Sequence, residues 1–238
     1  MARLIEFMRA AAFDLDGTLV DTAPDLGAAA NRMLETLGYK SLPEHRFREL
    51  IGDGVDQFIG RALTESLGEP PPRAVLHAAA ALFGRLYGEH LFEHSRVYPG
   101  VPEALRALDH AGIALCCVTN KHSVFAMPLL KAAHLRDFFA FTLCADSAAD
   151  RKPKPDLLLA ACAQLAVVPA ELLYVGDSHS DVVAADAAGC RVIVVDYGYD
   201  NGLPLDEARP DAIIGNLTEI VTMQVQPQAD ARILRGLR

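Results

Sequence analysis

The chain has 238 residues, a formal charge of −9 and five cysteines, enough to bury one large α/β core or a core with a smaller companion. The acidic balance, with a pI of about 5.3 and no Lys/Arg cluster, excludes a polyanion-binding surface, so no nucleic-acid partner is expected. Cys116, Cys117, Cys144, Cys162 and Cys190 form no CxxC pair and mostly sit in apolar runs, which predicts buried thiols in a reducing, cytoplasmic setting. No run reaches the eighteen or so apolar residues of a membrane span, and Glu6, Arg9 and Asp14 interrupt or follow the N-terminal apolar stretch where a secretion signal would not tolerate them.

The first predicted strand, Ala10–Leu15, runs into Asp14-Leu15-Asp16-Gly17-Thr18. Asp14 and Asp16 point to the same side of an extended chain. Paired carboxylates signify a bound cation or a shared proton, or else a solvated turn. A calcium-loop spacing fails, because Leu19 and Asp25 stand where Gly and Glu are needed.

From about Asp21 to His94 the pattern is helical, with no convincing strand. Leu26, Ala30, Met33, Leu34 and Leu37 recur at helical spacing and Gly38 stops the run. Gly52-Asp53-Gly54 reads as a turn, either a plain link or one that closes over a small ligand. Arg48 and Arg61 are candidates to grip a carboxylate bidentately, or are simply solvated. After Pro70-Pro71-Pro72 another helix runs to about His94.

Strand–helix alternation resumes at Tyr98-Pro99-Gly100: helix 101–111, strand Ile113–Val118, helix 122–133, helix 155–166, strand Leu172–Val175, helix 179–188 and strand Arg191–Val195. Fully apolar strands alternating with helices define a doubly wound parallel sheet, whose strand ends form the ligand edge. Three motifs fall on that edge. Thr119-Asn120 opens a helix as a phosphate seat or as a helix cap. Asp150-Arg151-Lys152-Pro153-Lys154-Pro155-Asp156 holds a lysine on a rigid segment that can balance clustered acids. Asp177 follows its strand as Asp14 does, with Asp181 one helical turn on; these acids read as metal ligands or as helix N-terminal charges. Four acids at two strand ends of one sheet suit Mg²⁺.

Taken in order, DxDGT at Asp14–Thr18, Thr119-Asn120, Lys152-Pro153 and GDSxxD at Gly176–Asp181 resemble the haloacid dehalogenase superfamily of phosphohydrolases over nearly the whole chain. Within it, DLDGTLVDTAPDL, IGDGVDQFIGRAL, YPGV and VTNK are most similar to the bacterial phosphoglycolate phosphatase branch. The resemblance implies a Rossmann-like core of residues 1–20 plus 95–238 and a helical type-1 cap of residues 21–94. It implies Asp14 as nucleophile and Asp16 as general acid and base, with Thr119, Asn120 and Lys152 (the lysine directly before the first proline) at the phosphoryl group. Mg²⁺ would sit among the Asp14 carboxylate, the Asp16 main-chain carbonyl and Asp177, with Asp181 touching it or one layer behind. Arg48, Arg61, Gly52, Asp53 and Gly54 would contribute substrate choice from the cap. The expected partner is a small phosphorylated metabolite, 2-phosphoglycolate first, bound by a monomer or homodimer. A sugar-phosphate or nucleotide phosphatase, a phosphomutase and a non-catalytic binding module are the alternatives. Dehalogenases of the superfamily lack the second Asp, so Asp16 argues for phosphate esters.

Overall fold

The computed structural model describes residues 2–146, 150–199, 205 and 207–225. Strands β1 (Ala2–Arg3), β2 (Ala10–Phe13) and β3 (Val20–Asp21) come first. Helices α1 (Ala23–Thr36), α2 (Glu44–Leu50), α3 (Val55–Leu67) and α4 (Arg73–Glu89) follow, and β4 (Arg96–Val97) ends the excursion. Next come α5 (Val101–His110), β5 (Ala114–Thr119), α6 (Ser123–Ala132), β6 (Thr142–Cys144) and α7 (Asp156–Leu165). The remainder comprises β7 (Leu172–Gly176), α8 (His179–Ala188), β8 (Arg191–Val195), β9 (Ala212–Ile214), α9 (Glu219–Thr222) and β10 (Gln224–Val225).

The central sheet has six parallel strands in the order β6-β5-β2-β7-β8-β9, the doubly wound arrangement expected from the apolar runs. Side chains alternate between its faces. Ala11, Phe13, Leu115, Cys117, Leu173 and Val175 join one buried cluster, and Ala10, Ala12, Cys116, Val118, Leu172 and Tyr174 join the other. Helices cover both faces, so the strands carry no polar alternation. β2 lies centrally; the chain builds outward to β5 and β6 on one side, then crosses to β7, β8 and β9 on the other. Ligand crevices form beside such a reversal.

The short edge strands β6 and β9 were not among the expected strands, since three residues carry too little periodicity to be read. The first strand also ends two residues earlier than expected, at Phe13. The helical segment is framed by a feature the sequence reading lacked: Val20 and Asp21 pair antiparallel with Val97 and Arg96. Asp25 in the first turn of α1 reinforces this closure, accepting from the Ser95 N–H at 2.8 Å, its hydroxyl at 2.5 Å and the His94 N–H at 2.9 Å. Helices α1–α4 enclose a third apolar cluster, and an aromatic series, Phe47, Phe58, Phe83 and Tyr87, carries it to Phe125 of α6. The five cysteines are free thiols, four of them buried. Among the described residues no helix is long and apolar enough to cross a membrane.

Candidate active site

The parallel register aligns Phe13 with both Cys117 and Val175. The first polar residues past three adjacent strands therefore emerge along one edge: Asp14 after β2, Thr119 at the end of β5 and Asp177 after β7. All three are buried, together with Lys152 and Asp181.

Lys152 is the positive centre of this group. Its Nζ lies 3.1 Å from Asp14 Oδ1 and 2.6 Å from Asp181 Oδ1, and it donates to the Tyr174 hydroxyl at 2.6 Å. Asp181 is saturated. Its Oδ2 accepts from the Asp177 N–H, the Ser178 N–H and the Ser178 hydroxyl at 3.2, 3.0 and 2.6 Å, while Oδ1 takes Lys152 and the Tyr174 hydroxyl. Asp177 is gripped at both oxygens, by the Thr18 hydroxyl at 2.9 Å and the Tyr199 N–H at 2.6 Å. Gly17 makes this approach possible: at φ +83° an added Cβ would stand 2.0 Å from Asp177 Oδ2.

Asp16, two residues from Asp14, occupies different surroundings. Its Oδ1 accepts from the Thr22 hydroxyl at 2.7 Å and from Lys121 Nζ at 2.9 Å. Lys121 is buried, with its ammonium 4.7 Å from the centre of the Tyr87 ring. The adjacent Asn120 spends its amide on placement: Oδ1 accepts from the Lys152 N–H at 2.8 Å, and Nδ2 donates to the carbonyls of Lys152 at 3.1 Å and Gly52 at 3.3 Å.

Burial pushes the Asp14 carboxyl up to about 6 against the pull of Lys152, and neighbouring Asp181 and Asp16 add to the rise. Burial likewise raises Asp177 well above the carboxylate range, with Asp181 and Asp14 contributing. Asp181 itself is held low: burial opposes its charge, but Lys152, Ser178 and Tyr174 outweigh that cost. Ligand atoms of Asp14, Asp177 and Asp181 lie within 4.8 Å of one another. Lys152 pairs with two of the three buried acids and one positive charge does not balance the cluster, and buried Asp14 Oδ1 has no aligned hydrogen bond. An all-oxygen cluster of this kind can hold a hard metal ion. The Asp16 carboxylate is engaged instead by Lys121 and Thr22.

Above this floor lies a cleft of about 600 Å³, open mouth included, lined by Asp14, Asp16, Thr119, Asn120, Lys121 and Asp177 from the core and by apolar residues of α1, α3 and α4. Gly52 and Gly54 reach it; the intervening Asp53 points elsewhere and pairs with Arg61. Arg151 fastens this turn to the core, donating to the Asp53 carbonyl at 3.0 Å. The expected carboxylate-gripping role of Arg48 and Arg61 does not fit these positions. Neither lines the cleft: Arg48 is turned to Asp21, and Arg61 to Asp53 and the Leu50 carbonyl. Acids nearer to them in the fold take their guanidinium groups first. Lys154, the alternative to Lys152, is exposed. Residues that motif reading assigned no role, Lys121, Tyr87, Tyr174 and Tyr199, complete the arrangement. Lys121 had a visible signal, standing directly after Thr119-Asn120; the tyrosines had none.

The chain belongs to the haloacid dehalogenase-like hydrolase family, whose model matches residues 11–195, and it is an enzyme of the hydrolase class. It is similar to proteins named phosphoglycolate phosphatase. The one from Nitrosospira multiformis is 44% identical over 212 residues, 89% of this chain and 93% of that one. The one from Thiobacillus denitrificans is 43% identical over 216 residues, covering 91% and 95%. A crystal structure from Haemophilus somnus, described as a predicted phosphoglycolate phosphatase, matches with a TM-score of 0.85 and 32% identity over 91% of this chain and 97% of that one.

Proposed function

We propose that the chain is a Mg²⁺-dependent phosphomonoester hydrolase that converts 2-phosphoglycolate to glycolate and phosphate. Residues 21–94 act as the cap and residues 1–20 with 95–238 as the core. The observation that carries this reading is the separation of Asp14 from Asp16: one stands against Lys152 in the buried acid cluster, the other against Lys121 and Thr22 beside the cleft. Two adjacent carboxylates in different fields suit two different tasks.

Asp14 attacks phosphorus to form an aspartyl phosphate, and the bond from phosphorus to the ester oxygen breaks. Asp16 gives its proton to the departing alkoxide. Now ionised, Asp16 takes a proton from water, which attacks the aspartyl phosphate, releases phosphate and restores Asp14. Lys152, the Thr119 hydroxyl and nearby amides stabilise the charge of the transferring group. The Asp14 and Asp177 carboxylates and the Asp16 main-chain carbonyl would hold Mg²⁺, which when bound supplies further neutralisation of the phosphoryl oxygens. Asp181, whose oxygens are already filled, stands behind as the support for Lys152 and for the Asp177 backbone. Names of close relatives support the substrate.

Side-by-side kcat/KM for 2-phosphoglycolate, sugar phosphates and nucleotides with Mg²⁺ tests the reading. A lead of at least about tenfold for 2-phosphoglycolate is expected; equal values would remove the substrate assignment. Phosphate release that persists in Asp14→Asn would overturn the covalent route.

A further inference from the structure

We infer that Lys121 and the cap residue Tyr87 form the seat for the carboxylate of the substrate, and so set the preference for phosphate esters with an acidic leaving group. The inference rests on the 2-phosphoglycolate reading of the site and adds the residues that would select that substrate.

Its first support is size. In 2-phosphoglycolate the carboxylate carbon is two covalent bonds from the ester oxygen, the atom to which Asp16 delivers its proton. The group that recognises the carboxylate must therefore be an immediate neighbour of Asp16. Lys121 Nζ is that neighbour, 2.9 Å from Asp16 Oδ1.

The second support is charge. Among the described residues lining the cleft, Lys121 is the one permanently charged cation, with the imidazole of His122 beyond it. Apart from Tyr87, the side chains opposite are apolar: Leu26, Ile51, Val55, Phe58 and Phe83 of the cap, with Phe125 of α6. An ammonium has three donors, and Asp16 takes one of them.

The third support is an unfilled polar group at the same place. The Tyr87 hydroxyl is buried beside the Lys121 ammonium, makes no well-aligned hydrogen bond and has no acceptor for its own proton, while the ring of Tyr87 packs 4.7 Å from that ammonium. A buried hydroxyl whose proton has no acceptor is costly. A carboxylate held by Lys121 would give it an acceptor. Because Tyr87 belongs to α4 and Lys121 to the core, the carboxylate would bridge the two and favour the closed arrangement.

The test compares 2-phosphoglycolate with ethyl phosphate, which keeps the ester and lacks the carboxylate. The readout is the ratio of their kcat/KM values in Mg²⁺, measured for the full chain and for Lys121→Met and Tyr87→Phe, each checked for a native melting transition. Lys121→Met also removes a partner of Asp16 and slows both substrates, so only the ratio reports selection. The ratio is expected to fall about 10- to 100-fold in Lys121→Met and about 3- to 10-fold in Tyr87→Phe. Equal slowing of both substrates, with the ratio kept, would overturn the seat while leaving the substrate assignment intact. A ratio near one in the unaltered enzyme would instead remove the substrate assignment, and the seat with it. If Lys121→Met does not fold, the ratio in Tyr87→Phe decides: a fall supports the seat and an unchanged ratio overturns it.

Discussion

Removing the Lys152 ammonium exposes how much of this fold depends on one charge. In Lys152→Met the side chain keeps comparable bulk, but Asp14 and Asp181, 3.1 and 2.6 Å from Nζ, lose their cation in a place where lysine and acids alike are buried. Breaking a buried pair from one side costs about 3–5 kcal/mol. At roughly 2–4 °C per kcal/mol for a chain of this size, melting should fall by about 6–20 °C. Lys154→Met, two residues on and exposed, should cost no more than about 1 kcal/mol. The deficit has a pH sign. Asp14 already titrates near 6 with the lysine present, and Asp177 is raised as well. Without the lysine Asp14 and Asp181, the two acids it touches, take up protons more readily, so acid relieves the stranded charge and the deficit should be smaller at pH 5 than at pH 8. Thermal and urea unfolding in chelator at both pH values measures this. A loss under about 1 kcal/mol, or a loss larger at pH 5, would refute the ionised cluster.

Magnesium affinity, followed by calorimetry, should rise from pH 5 to pH 8, because Asp14 (about 6) and the raised Asp177 must shed protons to bind it; a flat profile counts against them as ligands. Gly17→Ala combines φ +83° with a Cβ 2.0 Å from Asp177 Oδ2, so it should cost about 1–3 kcal/mol in urea unfolding and weaken Mg²⁺ binding about tenfold or more; unaltered binding would show that Asp177 does not hold the ion. Tyr199→Phe removes the hydroxyl that accepts from the Thr22 and Ala23 N–H groups at 2.7 and 2.9 Å, yet keeps the backbone N–H that fixes Asp177. Stability should drop by about 1–3 kcal/mol with Mg²⁺ affinity retained; a parallel loss of affinity would show that the hydroxyl, too, governs the metal site.

Much of the sheet was legible because its strands are buried on both faces and read as unbroken apolar runs, as in Leu172–Val175. Asp14, Thr119 and Asp177 were legible because each directly follows such a run. Partners brought in from elsewhere in the chain were not. Tyr174 sits mid-strand and looks like one more core residue, and only the fold shows its hydroxyl against Lys152 and Asp181. Tyr199 lies 22 residues after Asp177, the acid it fixes. Arg48 and Arg61 were misplaced for the converse reason. Charge type suggested a ligand, but local acids, Asp21 and Asp53, satisfy them outside the cleft. Long flexible cations on helices take whichever acid the fold brings nearest, and spacing does not encode that choice.

The end of β5 shows how these parts depend on each other. Thr119 Oγ1 accepts the Lys121 N–H at 3.1 Å, and Asn120 between them binds both backbone groups of Lys152 and the carbonyl of Gly52 in the turn between α2 and α3. Three consecutive residues therefore set the lysine among the buried acids, the lysine beside Asp16 and the turn at the mouth of the cleft. The two lysines face different company. Lys152 is shared by two acids and a tyrosine and has no donor to spare for the cap, whereas Lys121 has one acid and an aromatic face. An ester that presents a phosphoryl group to Asp14 and a second negative charge two bonds further on matches that division, because each end meets its own cation. A neutral leaving group would leave the second lysine and the proton of the Tyr87 hydroxyl without an anion to meet, and the cap side of the cleft then tells one such ester from another mainly by apolar contact.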